Sequence, residues 1–99
     1  MTEVTLNARA SSTWSLDGEL DFASVPAVWP AVAEVISENR RVTLSLDAVR
    51  HANSAGLVLL VEARDLARQT GCDLRLVDLP AELIDLARMS QCEALISGG

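Results

Sequence analysis

Few side chains in this sequence could do chemistry, and the most conspicuous is a serine. Ser54 stands in the run Arg50, His51, Ala52, Asn53, Ser54, Ala55, Gly56, Leu57, which also holds the sole histidine. A serine nucleophile needs a base held against its hydroxyl, and a further group to orient that base. His51 lies across a short loop from Ser54, and that spacing establishes no triad. The stretch from Asn53 to Gly56 is not a phosphate loop, because it lacks the glycine run and the lysine of a nucleotide site. His51 has no neighbouring cysteine or histidine with which to hold a metal, so it reads as a partly exposed loop residue. Cys72 and Cys92 match neither a zinc spacing nor a disulfide framework, and read as small buried thiols. Asp17, Glu19 and Asp21 could surround a cation. Gly18 and Leu20 do not continue a calcium-loop pattern, however, and a solvated acidic loop is the simpler reading. No catalytic residue, metal or cofactor is expected.

Position, rather than reactivity, makes Ser54 interesting. Val42, Leu44 and Leu46 alternate with Thr43 and Ser45, the period of a half-buried strand. A polar crossing follows, and then Leu57, Val58, Leu60 and Val61 begin a helical pattern. A small hydroxyl residue just before such a pattern is a helix-start signal, so Ser54 is placed at or next to an N-cap. Free backbone N–H groups point outward there, with the positive end of the helix dipole behind them. Ligands of α/β domains gather outside the carboxyl ends of parallel strands. The working surface is therefore expected at this strand-to-helix mouth. Gly56 costs about 1 kcal/mol relative to Ala within a helix; close helix–strand packing explains it, and close approach of a partner backbone is the functional alternative.

The elements that must position this mouth follow from the rest of the pattern. Glu3 to Arg9 and Thr13 to Leu16 alternate as two strands of a hairpin, which Asp17 and Gly18 break, although Leu20 could extend the pairing. Phe22 to Glu38 is mainly helical, with Ser24 as cap before Pro26. Pro30 demands either an irregular turn through Ala27, with the regular helix starting near Trp29, or a kink. Trp14 is read as core, and Trp29 as core or as cover for the kink. A helix from Ser54 to Thr70 ends at Gly71 as its C′ residue. Leu74 and Leu76 mark another strand, Pro80 opens another helix with Leu83, Ile84, Leu86 and Ala87 inward, and Ala94 to Ile96 could form a last short strand. The expected architecture is α/β in the order β-β-α-β-α-β-α, with a mixed, mostly parallel sheet of four to five strands. Only alternate strand positions are strongly apolar, so the helices should sit mainly on one face. The other face should carry Thr5, Asn7, Thr13, Ser15, Thr43, Ser45 and Arg75 and stay largely wet.

Composition narrows the function classes. At 99 residues, residues 1–99 are read as a single domain, and 49% hydrophobic content is too high for disorder. Fourteen acidic residues outnumber eight basic ones, all of them arginine, for a formal net charge of -6. Without a basic run, nucleic acid and anionic membranes are poor partners. No apolar run approaches the ~20 residues that span a bilayer. The first residues lack the order of a signal peptide, and a reducing cytosol fits the cysteines.

Three segments, LDGELDFASVPAVW, SLDAVRHANSAGLVLL and LPAELIDLARMS, together resemble the STAS domain family (sulfate transporter and anti-sigma factor antagonist). Within it the chain is most similar to the MlaB-type small cytosolic subunit of the Mla phospholipid-transport ABC complex of Gram-negative bacteria. The resemblance implies a non-catalytic binding module that docks on the transporter's ATPase subunit and supports it, at the cytoplasmic face of the inner membrane. Membrane contact would then be indirect. The position it carries onto this chain is Ser54, and with the polar helix mouth around it the expected contact residues are Asn53, Ser54, Ala55, Gly56 and Leu57, flanked by Arg50 and His51. The alternative is an anti-sigma factor antagonist switched by phosphorylation, with Ser54 as phosphoacceptor. The family usually has Asp before that hydroxyl. Here it is Asn53, which weakens the phosphorylation role and leaves docking intact.

Overall fold

The computed structural model describes residues 3–96, the side chain of Leu95 aside. A hairpin opens the chain: β1 (Val4–Ala10) pairs antiparallel with β2 (Thr13–Leu20). Helix α1 (Ser24–Glu38) crosses to β3 (Arg41–Ser45), and a short strand β4 (Val49–Ala52) leads into helix α2 (Ser54–Thr70). Strand β5 (Asp73–Val77), helix α3 (Ala81–Met89) and a final helical turn α4 (Glu93–Ile96) complete the order. The sheet runs β1-β2-β3-β5, and β4 also pairs with β2. All pairings except β1–β2 are parallel.

The mixed, mostly parallel sheet is as expected, with one strand more than the sequence reading placed. Strand β2 explains the difference. Its first half pairs with β3, Thr13 to Thr43 and Ser15 to Ser45, while its second half pairs with β4, Gly18 to Val49 and Leu20 to Ala52. Gly18 does not break the strand. It carries a φ of 129°, and the Gly18 N–H bonds the Ala48 carbonyl at 3.1 Å. A Cβ at this position would collide with the Glu3 carbonyl oxygen. Glycine lets β2 pass the change of partner while β1 continues alongside it. The acidic stretch of Asp17 and Glu19 is therefore strand, not loop.

Helix α1 is continuous from Ser24, so the irregular turn through Ala27 does not occur, although Pro30 lies inside it. The carbonyl that Pro30 leaves without a helical donor belongs to Pro26, which is exposed and can be solvated. Helix α2 has the bounds that the sequence gives, and Gly71 ends it with a φ of 74° and its N–H on the Ala67 carbonyl. Residues 94–96 form part of a helical turn rather than a strand.

Leu16, Leu44, Leu46, Leu60, Leu74 and Leu83, all below 3% exposure, lie in a core between the sheet and the helices. Trp14 and Trp29 are half-buried against it. Thr5, Asn7 and Arg75 on the opposite face are exposed, as expected. Ser15 and Ser45 on that face are not wet: both are buried, and their hydroxyls donate to Asp17 at 2.7 Å and to Asp47 at 3.0 Å. Arg9 lies over them, 3.1 Å from Asp47 and 3.9 Å from Asp17. That guanidinium, with help from Ser45, holds the Asp47 carboxyl below its usual range. At the other edge of the sheet, the Arg64 guanidinium donates to the outward carbonyl of Leu74 on β5 at 2.6 Å.

Candidate functional site

Parallel crossovers start all three long helices at the same end of the sheet, beyond the carboxyl ends of the parallel strands. At the start of α2 the cap is Asn53. Its backbone is extended and its side-chain oxygen accepts the Ala55 N–H at 2.9 Å. Ser54 is thus the first helical residue, next to the cap rather than the cap itself. An amide oxygen can fill the role as well as a hydroxyl does. The choice has a consequence: because Asn53 satisfies the orphan donor, the Ser54 hydroxyl is left for other use. Ser54 is exposed, and its side chain engages no other group among the described residues.

The neighbouring residues divide by direction. Ala55, Gly56 and Leu57 turn inward, with Leu57 only 7% exposed. A Cβ on Gly56 would lie 3.1 Å from Leu20 Cβ and 3.3 Å from Leu83 Cδ2, so this glycine serves close packing within the chain. Leu57 supports the mouth from inside the core and presents no surface to a partner. Arg50 and His51 lie on β4, not in a loop, and both are exposed. The His51 imidazole Nδ1 lies 3.9 Å from Glu82 on α3. No group of acidic, histidine or cysteine side chains among the described residues could hold a metal ion. Cys72 is buried, which pushes its thiol up, and Cys92 is half-buried; both are free.

Beside Ser54 the structure adds residues that the sequence reading did not single out as a surface. Phe22 is 72% exposed and Val58 is 54% exposed. With Val25, Pro26 and the edge of Ala55 they line an apolar hollow of about 210 Å³ between the starts of α1 and α2. Val58 was legible as part of the helix's apolar run, but not its outward direction. Phe22 sits just before α1, so no helical stripe marks which way it points.

The start of α1 is built differently. Asp21 accepts the Ser24 N–H at 2.8 Å, while the Ser24 hydroxyl accepts the Asp21 N–H at 2.9 Å and donates to the Glu19 carbonyl at 2.6 Å. This reciprocal arrangement fixes the turn that carries Phe22.

The sequence matches the family model described as “Mlab, STAS domain” over residues 5–97. The chain belongs to the MlaB-type STAS family. Solved structures agree with the architecture. The unphosphorylated anti-sigma factor antagonist SpoIIAA superposes with a TM-score of 0.71 at 13% identity, covering 97% of this chain and 87% of that one. The phosphorylated form of SpoIIAA, described as a Bacillus cell fate determinant, gives a TM-score of 0.69 at 13% identity, covering 97% and 90%. A structure of Mglu gives 0.60 at 20% identity over 78% of this chain and 20% of that one. At these identities the likeness is one of fold. No curated protein sequence matches the chain. In this STAS domain no helix among the described residues is long and apolar enough to cross a membrane.

Proposed function

We propose that this STAS domain is a non-catalytic subunit that docks on the ATPase of an Mla-type phospholipid-transport ABC complex. The observation that carries the reading is the pairing of an exposed Ser54 with the Phe22 and Val58 patch at one helix mouth. Exposed apolar side chains grouped beside a polar rim mark protein contact surfaces. Covering such a side chain on docking contributes at most about 1.5–3 kcal/mol, less for one already partly buried. The rim is supplied by Asn53, Ser54, Arg50 and His51, while Ala55, Gly56 and Leu57 hold the platform from below. The MlaB-type family match supports an Mla-type role, and the ATPase as partner is our reading of that resemblance. A subunit of this kind works in the cytoplasm, at the inner face of the membrane, and meets lipid only through its partner.

Co-purification from native cells under conditions that preserve weak complexes tests the reading. Recovery of a transporter ATPase is expected, and its loss on Val58→Asp with the fold intact. Recovery of other partners with no ATPase would refute it. Ser54→Glu and Ser54→Arg should also weaken docking without unfolding the domain.

The second reading is a phosphorylation-switched anti-sigma factor antagonist. Exposure of the Ser54 hydroxyl favours it, because a kinase can reach it. A phosphate there would place nearly two negative charges at a helix N-terminus, which the helix tolerates and an apolar interface does not. Intact-mass measurement on protein from stressed and unstressed cells separates the two, since only the second requires a phosphorylated fraction.

A further inference from the structure

The arginines are not spread evenly over this acidic chain. At the end of the sheet opposite Ser54, Arg40 and Arg41 line a hollow of about 340 Å³ with Ser12, Asn39 and Asp73. Arg64 and Arg68 line a second hollow of about 220 Å³ whose wall includes the same Asp73. Arg75 lies 4.0 Å from the Asp73 carboxylate. Five of the eight arginines thus surround one acidic side chain, in a protein of net charge -6. Asp73 is the only carboxylate that lines either hollow among the described residues.

Part of this grouping is structural. The helices end here, and Arg68 lies in the last turn of α2, where a cation complements the helix dipole. That accounts for Arg68, and the bond to the Leu74 carbonyl accounts for Arg64. Arg40 and Arg41 lie beyond the last turn of α1 and are exposed. Burial and the neighbouring positive charge of Arg68 push the Arg64 guanidinium below its usual range, and Asp73 offsets this only in part.

We propose that this arginine end is a second docking site, which takes an acidic segment of a partner protein with its carboxylates seated on either side of Asp73. Arginine presents a planar fork of donors that matches carboxylate geometry, and none of the cations here is a lysine. The two hollows, which share Asp73 in their walls, fit spaced side-chain carboxylates better than a flat lipid surface. No aromatic side chain lines them to stack a nucleobase, and the large exposed apolar residues that could enter a bilayer, Phe22, Val58 and Met89, line neither hollow. The site is independent of the Ser54 mouth and of the identity of the partner there.

Titration of the isotope-labelled full chain with a glutamate decapeptide tests the proposal. Amide shifts are expected to centre on Ser12, Arg40, Arg41, Cys72 and Asp73, and to weaken as salt is raised. The double variant Arg41→Glu with Arg68→Glu should lose at least about tenfold in affinity. Arg64 is left unchanged because it holds the β5 edge. Val58→Asp should leave peptide binding unchanged, which separates this site from the mouth. An absence of shifts, shifts centred on Arg9, Arg50 or Arg88, or unchanged affinity in the double variant would overturn the proposal. So would stronger binding to phosphatidylglycerol vesicles or to inorganic phosphate than to the peptide, with the same dependence on Arg41 and Arg68.

Discussion

Two helices in this protein begin on a serine, and the two serines are used in opposite ways. Ser24 opens α1 and is 3% exposed; its hydroxyl is committed to the Asp21 N–H and the Glu19 carbonyl. Ser54 opens α2 and is exposed, because the capping bond to Ala55 comes from Asn53 instead. One hydroxyl is consumed by the fold and the other is surplus to it. A polar side chain that stability does not require, held on a rigid helix start beside an apolar patch, is available for recognition.

The comparison can be broken at its foundation first. Gly56 packs beneath Ser54 against Leu20 and Leu83, so Gly56→Val should overfill the site and cost about 3 kcal/mol in denaturant unfolding. A small loss there would mean that the mouth is not held by close packing. Ser24→Ala should cost about 2 kcal/mol, since it removes both hydrogen bonds of a buried hydroxyl. Asn53→Ala should cost about 1 kcal/mol, the usual effect of removing a helix cap. Ser54→Ala should change stability by less than about 0.5 kcal/mol. If Ser54→Ala proved as costly as Ser24→Ala, the distinction between the two serines would fail.

The least effect concerns the open sheet face, which tests whether a third site of buried hydroxyls behaves as structure. Folding lowers the Asp47 carboxyl below its unfolded value, so its contribution is present above the ordinary carboxylate range, about pH 4, and is lost as pH falls through the folded value. Asp47→Asn should therefore be slightly less stable than the parent at neutral pH, and the two should converge in acid. A gap that widens in acid would contradict the sign.

The elements legible in the sequence were those with a long, one-sided pattern. Helix α2 was bounded correctly because its apolar positions recur over many turns and Gly71 supplies the stop. Strand β4 was not legible: it has four residues, and only its first and last are buried, so it shows no alternation. The run of β2 past Gly18 depends on a backbone angle that glycine permits but does not announce. Ser54 was placed correctly at the mouth, yet the cap fell to Asn53, because both residue types suit that position and spacing alone does not choose between them. The Phe22 and Val58 patch joins residues far apart in sequence, as do the arginines around Asp73. Neither grouping exists until the crossovers bring three helix starts to one end and their stops to the other.

The Arg64 bond to the Leu74 carbonyl has a consequence for assembly. An open sheet has two borders, and a fibre grows only if both can accept another strand. Here an incoming chain at β5 would have to evict a guanidinium from a carbonyl it needs, while among the described residues no side chain bonds a β1 carbonyl. With one border stoppered, strand addition at β1 would end at a pair and could not propagate.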